Sequence, residues 1–265
     1  QTAPTRKITF RAMLAEVGAT LNNKAFVVAT LTGMFIAIAT GARNALEIYF
    51  GLYFWELTQA QMAGLVTVSV LGGAAGVVTA PKVARRLGKK HGAILLYASA
   101  LTVGVSPVVA RLFGLMPENG TGLLYTLLVI ETVINTALAG GTGVLLVSMV
   151  ADVIEDAEVK TGRRSEGLLM SADNLFKKLV SGVGVFISGS VLALIHFPEN
   201  AQRGKVDPEI IQSMGLIYLP VIGTLFGLGI LSLCAFNIDK TRHEENLRTL
   251  RERAGAQPAE APEPL

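Results

Sequence analysis

Charge is scarce in this chain: Asp, Glu, Lys and Arg together make up 16% of its 265 residues, against 51% hydrophobic residues. A soluble domain needs a larger polar share to cover its surface, and the mean hydropathy of +0.51 points the same way. Cysteine is nearly absent. The lone Cys234 lies within an apolar run, so no intrachain disulfide can form and the thiol reads as buried. The three histidines, His91, His196 and His243, fall at run ends or in the tail. There is no zinc-ligand spacing, no phosphate loop and no nucleophile with a histidine partner. Soluble-enzyme and metal-site chemistries are thereby excluded, and no cofactor or bound metal is expected. The net charge of +3 could suggest nucleic acid, but in a chain this apolar basic residues mark the loops on one side of a membrane. No nucleic-acid partner is expected.

What the chain does have is long apolar runs, at about 25–55, 62–81, 92–113, 123–150, 167–197 and 214–238. Each approaches or exceeds the roughly 20 helical residues that a bilayer core requires. Glycine and proline recur within them, as membrane helices tolerate. The reading is an all-α membrane protein of six transmembrane helices, with a polar lead over 1–24 and a tail over 239–265. The start at Gln1, without an initiator Met, reads as an internal boundary rather than a signal peptide. The tail ends in QPAEAPEPL, a composition that predicts disorder.

Lys and Arg cluster in alternate connections: Arg6, Lys7, Arg11 and Lys24; Lys82, Arg85, Arg86, Lys89 and Lys90; Lys160, Arg163 and Arg164; then Lys240, Arg242, Arg248, Arg251 and Arg253. The opposite connections hold only Arg111, Arg203 and Lys205. The asymmetry places both ends in the cytoplasm, and the expected location is a cell membrane, bacterial inner membrane in the first instance.

Charges inside the runs are few and specific: Arg43 and Glu47 in the first, Glu131 in the fourth, and Asp173, Lys177 and Lys178 in the fifth. Each costs roughly 2.5 to 3.5 kcal/mol at a helix centre, so each needs a partner or a wet cavity. Helical spacing gathers polar side chains into stripes. Thr40, Asn44 and Glu47 share one face of the first run, with Tyr49 and Tyr53 nearby; Glu131, Asn135 and Thr142 share a face of the fourth; Ser171, Asn174, Lys178 and Ser181 share a face of the fifth. The three stripes predict a shared aqueous cavity. Lys178 continues its stripe, whereas Lys177 can snorkel to the interface.

The junction between the fourth and fifth runs, ADVIEDAEVKTGRRSEG, is dense in charge. Asp152, Glu155, Glu158, Lys160, Thr161, Gly162, Arg164, Glu166 and Gly167 resemble the signature of the glycoside-pentoside-hexuronide:cation symporters of the major facilitator superfamily. EIYFGLYFW, Glu47 to Trp55, is similar to that family's aromatic seventh helix, and PKVARRLGKK, Pro81 to Lys90, to the short basic loop after the eighth. The resemblance covers nearly the whole chain, as the carboxy-terminal half of a twelve-helix transporter. It implies two inverted three-helix repeats, in which first and fourth helices line the cavity, second and fifth gate it, and third and sixth face lipid. It implies a small solute and a coupling cation, Na⁺ or H⁺, bound mainly by the missing amino-terminal six-helix half, with lipid as the other neighbour. The implied cavity residues are Asn44, Glu47, Tyr49, Tyr53, Glu131, Asn135, Thr142, Asp173, Asn174 and Lys178. The implied cytoplasmic gate is Asp152, Glu155, Glu158, Arg163, Arg164 and Glu166, with the arginines as bidentate donors. Function follows as secondary active transport of a sugar, glycoside or similar polar solute. Where such carriers can place an aromatic on the tenth helix, this chain has Gly140, Gly141, Thr142 and Gly143, which opens a second reading as a carrier of a lysolipid or other amphipathic solute. A stand-alone six-helix scaffold or sensor is the reading from another class.

Overall fold

The computed structural model describes residues 24–161 and 166–235, with side chains for all of these except 24–26, 156–161, 166–169, 172 and 173. Each apolar run becomes a helix. α1 covers Lys24–Tyr49 and continues into a π-turn, Phe50–Phe54; α2 covers Gln59–Leu87, α3 Lys89–Leu112, α4 Gly122–Thr161, α5 Glu166–Leu194 and α6 Pro208–Cys234. All six contain a segment long and apolar enough to cross a membrane, and no strand occurs among the described residues. Only helices or closed barrels satisfy every backbone group in lipid, so this is a multi-pass helical membrane protein. Arg163, Arg164 and the expected lead and tail, apart from Lys24, lie outside the described residues.

Capping residues, more than hydropathy, set where the helices begin. The Thr58 hydroxyl accepts from Gln61 N at 3.2 Å while Thr58 N donates to Gln61 Oε1 at 2.9 Å, a reciprocal box that fixes the start of α2. α6 starts at Pro208 behind Asp207, whose carboxylate accepts from Glu209 N at 2.9 Å. That start precedes the apolar run at Met214. α2 and α3 are joined through the single residue Gly88, at φ 78, a conformation that an L side chain resists. α4 does not stop where its apolar run ends but continues to Thr161, so Asp152, Glu155 and Glu158 stand on one helical face. Cys234, expected to be buried, is exposed at the end of α6.

α2 packs chiefly on α4, and α1 on α5; α3 lies on α4, α6 on α1, and α3 touches α6. Exchanging α1 with α4, α2 with α5 and α3 with α6 maps this pattern onto itself. With an odd number of spans per repeat, the second copy enters from the opposite side, so the repeats are inverted. Both main seams are closed by glycine. A Cβ on Gly76 would run into the backbone of Ala137, and one on Gly184 into the backbone of Ile38 and Ala42, contacts that only a residue without a side chain permits.

The core differs by end. Near the α1–α2 turn it is aromatic, built on Phe50, Phe54, Trp55, Tyr218 and Phe226, with the Phe50 and Tyr218 rings 4.5 Å apart. Near the α2–α3 turn it is aliphatic and small, built on Ala80, Ala93, Leu145, Met149 and Val153. In lipid, burying such groups brings no hydrophobic gain. Cohesion comes from dispersion contacts of about 0.1–0.2 kcal/mol per atom pair, which is why close glycine seams matter.

Candidate solute and ion cavities

Two cavities flank α1. The first, about 740 Å³, lies between α1 and α5 and is lined by Gly33, Thr40, Asn44, Asn174, Lys177 and Lys178 among others. The second, about 710 Å³, is enclosed by α1, α2, α3, α4 and α6; its polar lining includes Arg43, Asn44, Glu47, Tyr97, Glu131 and Asn135. Thr40, Asn44, Gly143 and Leu146 line both, so the cavities adjoin across α1. The three polar stripes read from spacing therefore reach cavities, but two adjoining ones rather than a single space.

In the second cavity the charged groups are Arg43, Glu47 and Glu131. They stand together with no ion pair recorded between them; Lys89 and Asp152, elsewhere, do form one. Glu131 Oε1 and Tyr97 Oη are each enclosed without a hydrogen-bond partner. Asn135, 1% exposed, donates from Nδ2 to Ala100 O at 2.7 Å, which ties α4 to α3 and commits part of its amide. Gly104 of α3 leaves the space that Asn135 and the Arg43 guanidinium occupy: a Cβ there would meet Asn135 Nδ2 at 2.6 Å and Arg43 Nη1 at 3.2 Å. Thr142 lines the wall, its hydroxyl donating to Leu138 O at 2.8 Å.

The implied lipid-facing role of the third and sixth helices needs correction. Tyr97, Gly104 and Pro107 of α3, and Tyr218 and Phe226 of α6, also line this cavity, and Tyr97 stacks on Phe226 at 5.2 Å. Apolar runs without central charges gave no sign of this. Aromatic residues interrupting them were the available signal.

In the first cavity Lys178 is exposed, as are Asn174 and Asn44. Lys177 shares the lining, its Cε against Gly33 of α1. Sequence spacing put Lys177 on a different face; the residue belongs to the cavity because Gly33 leaves room for its aliphatic stem. Asp173 lies on α5 with its side chain outside the described residues.

Tyr49 and Tyr53 are not in either cavity. They pack with Phe197 at ring distances of 5.4 and 5.1 Å and with each other at 6.1 Å. Tyr53 Oη donates to Ala201 O at 3.5 Å. Tyr49 follows Glu47 by two residues, more than half a turn around an α-helix, so it leaves the polar face. The wider i→i+5 turn over Phe50–Phe54 then displaces Tyr53 from any α-helical extrapolation.

At the end carrying Gly88, Lys89 Nζ donates to Asp152 Oδ1 and Oδ2 at 2.6 and 2.9 Å. Lys90 Nζ donates to Cys234 O at 2.7 Å, satisfying a terminal carbonyl of α6. Adjacent lysines thus clasp α4 and α6. The buried gate residue Asp152 has as a partner a lysine of the basic turn, which spacing did not pair with it. Glu155 is half-buried one turn farther along α4. The side chains of Glu158 and Glu166, like Arg163 and Arg164 entirely, lie outside the described residues.

A family model described as MFS/sugar transport protein matches residues 3–240. The chain is 24% identical over 253 residues to an uncharacterised symporter, YjmB, of Bacillus subtilis (strain 168), covering 95% of this chain and 51% of that protein. It is 24% identical over 199 residues to an isoprimeverose transporter of Lactiplantibacillus pentosus, covering 75% of this chain and 38% of that protein. At its fullest the chain spans about half the length of these curated relatives.

Proposed function

Because the chain belongs to the MFS/sugar transport protein family, we propose that it is the carboxy-terminal half of a cation-coupled symporter moving a sugar, glycoside or similar small polar solute. The observation that carries this reading is the pair of adjoining cavities. They collect charged and amide side chains of α1, α4 and α5 that would otherwise be costly in lipid. The names of the two relatives, a symporter and an isoprimeverose transporter, support a glycoside over other solutes. Their length supports a further six-helix half as the partner that completes the site, and disfavours a stand-alone scaffold or sensor. The basic turn at Gly88 and the Asp152 end of α4 face the cytoplasm in this reading, following the Lys and Arg bias. Transport proceeds by alternating access, and the charges from Asp152 to Glu166, together with Lys89, hold that side closed in one state and separate into water in the other.

Gly143 and the apolar side chains Ala29, Ile36, Leu146 and Val147 in the first cavity favour a second reading, in which an amphipathic solute lays its apolar part there. The test is uptake by the full-length protein in proteoliposomes, with radiolabelled pentosides and a lysophospholipid compared under imposed Na⁺ and H⁺ gradients. Gradient-stimulated accumulation of a pentoside is expected. Accumulation of the lysophospholipid alone would transfer the function to the second reading, and a lack of either uptake would sink both.

A further inference from the structure

The second cavity is out of charge balance. One guanidinium, Arg43, faces two carboxylates, Glu47 and Glu131, which leaves a net charge of −1 if both acids are ionised. Among the described residues no other cation lines this cavity. α3 and α6 present the hydroxyls of Tyr97 and Tyr218, and α2 presents Met62, Leu65, Val66 and Ser69, none of them a cation. The two acids are also unequal. Glu47 is exposed, so this chain does not enclose its charge. Glu131 has one carboxyl oxygen enclosed with no donor and no ion pair with Arg43. Thr132 supplies a side-chain hydrogen bond to this carboxyl group, but the enclosed oxygen has none; a charge so poorly solvated is costly in a low-dielectric site, and a group so placed neutralises itself instead. A single proton on Glu131 makes the cavity neutral and removes that cost.

We infer that Glu131 is a proton-binding site of this half, taking up and releasing one proton as the cavity changes between closed and water-filled states. The step is a proton transfer: an O–H bond forms on a Glu131 oxygen as one breaks in a hydronium ion at the cavity mouth, leaving water, and the proton returns to water when water and Arg43 can stabilise the carboxylate. This rests on the symporter reading and deepens it, placing part of the ion chemistry in this half. The sequence expectation put the ion mainly in the missing half.

Infrared spectroscopy of the full-length protein in proteoliposomes tests the site without a known solute, by reading the carbonyl stretch of a protonated carboxyl group at neutral pH. The expected result is a band that disappears in Glu131→Gln, persists in Arg43→Gln, and weakens in Glu47→Gln, where the remaining Arg43 and Glu131 charges already balance. Loss in Glu47→Gln is informative because Glu131 is still present. A spectrum unchanged by Glu131→Gln overturns the proposal, as does a band at full strength in Glu47→Gln. In transport, Glu131→Gln is expected to lower the stimulation of uptake by an inward proton gradient about tenfold, equivalent to ~1.4 kcal/mol. Uptake driven by Na⁺ and indifferent to a pH gradient also overturns the proton site while leaving symport intact. Absence of all uptake with the band present removes the transport reading instead.

Discussion

The two cavities share one wall of α1 yet carry opposite charge. The first has two lysines and no acid among its described lining residues; the second has two carboxylates against one guanidinium. Thr40 and Asn44, neutral hydrogen-bonding groups, stand on the border between them. A helix in lipid pays for each isolated charge, and here the two signs fall on opposite sides of α1. The exposed Lys178 stands on one side of this border and the inferred proton site, Glu131, on the other.

The largest expected effect comes from removing the positive side. Lys178 is exposed into the first cavity, whereas Lys177 has its stem held against Gly33. In the full-length protein, Lys178→Ala should lower ion-stimulated uptake about tenfold or more and change its ion dependence, since a cavity ammonium competes with a bound cation over a few ångströms. Lys177→Ala should lower the rate less and leave the ion dependence as in the parent, because part of that side chain's role is packing. Uptake measured at matched expression over a series of Na⁺ and H⁺ gradients checks this. Equal ion dependence in all three proteins would make both lysines structural and erase the contrast between the cavities.

Much of the fold was legible because the bilayer enforces it: a run of about 20 apolar residues has few alternatives to a spanning helix. The polar stripes were legible for the same reason, since helical spacing is fixed and intramembrane charges are rare. Thr40, Asn44 and Glu47, gathered on one face by spacing, line the second cavity. What escaped is non-local or breaks the period. Asp152 meets Lys89 across 63 residues of sequence, and no rule of spacing pairs them. Tyr53 was carried off the face by a π-turn, a local change in hydrogen bonding with no clear sequence mark. Lys177 entered the first cavity because a glycine on another helix made room. The small residues that close the helix seams also decide which polar groups reach the cavities.

Gly104 sharpens the contrast from the acid side at an intermediate magnitude. Alanine is about 1 kcal/mol better than glycine in a helix, so on propensity alone Gly104→Ala would stabilise α3. Its Cβ would stand 2.6 Å from Asn135 Nδ2 and 3.2 Å from Arg43 Nη1, and Asn135 is held by Ala100 O at 2.7 Å. Overpacking of about 1–3 kcal/mol and strain on a bond worth ~1 kcal/mol outweigh the propensity gain. The expected result is a lower melting temperature and weaker uptake, with ion dependence less affected than in Lys178→Ala. A stabilised, fully active variant would mean that Arg43 and Asn135 have other positions open to them, and that the charge arrangement of the second cavity is not fixed.

The smallest effect is expected where sequence spacing and structure part most plainly. Tyr53 reaches only Ala201 O, at 3.5 Å, and its ring packs on Phe197 and Tyr49 away from both cavities. A hydrogen bond at the limit of useful distance contributes little, and phenylalanine keeps the ring contacts, about 0.5–1.5 kcal/mol per pair. Tyr53→Phe should therefore change stability by no more than about 0.5 kcal/mol and leave solute affinity and ion dependence at parental values. Removing the ring, as in Tyr53→Ala, should lower the melting temperature while the transported solute and its apparent affinity stay the same. The two variants separate packing from binding in one measurement of uptake against solute concentration. A several-fold loss of affinity in Tyr53→Phe would return this hydroxyl to the binding site, and the aromatic end of the bundle would then have to be counted as a third polar surface beside the two cavities.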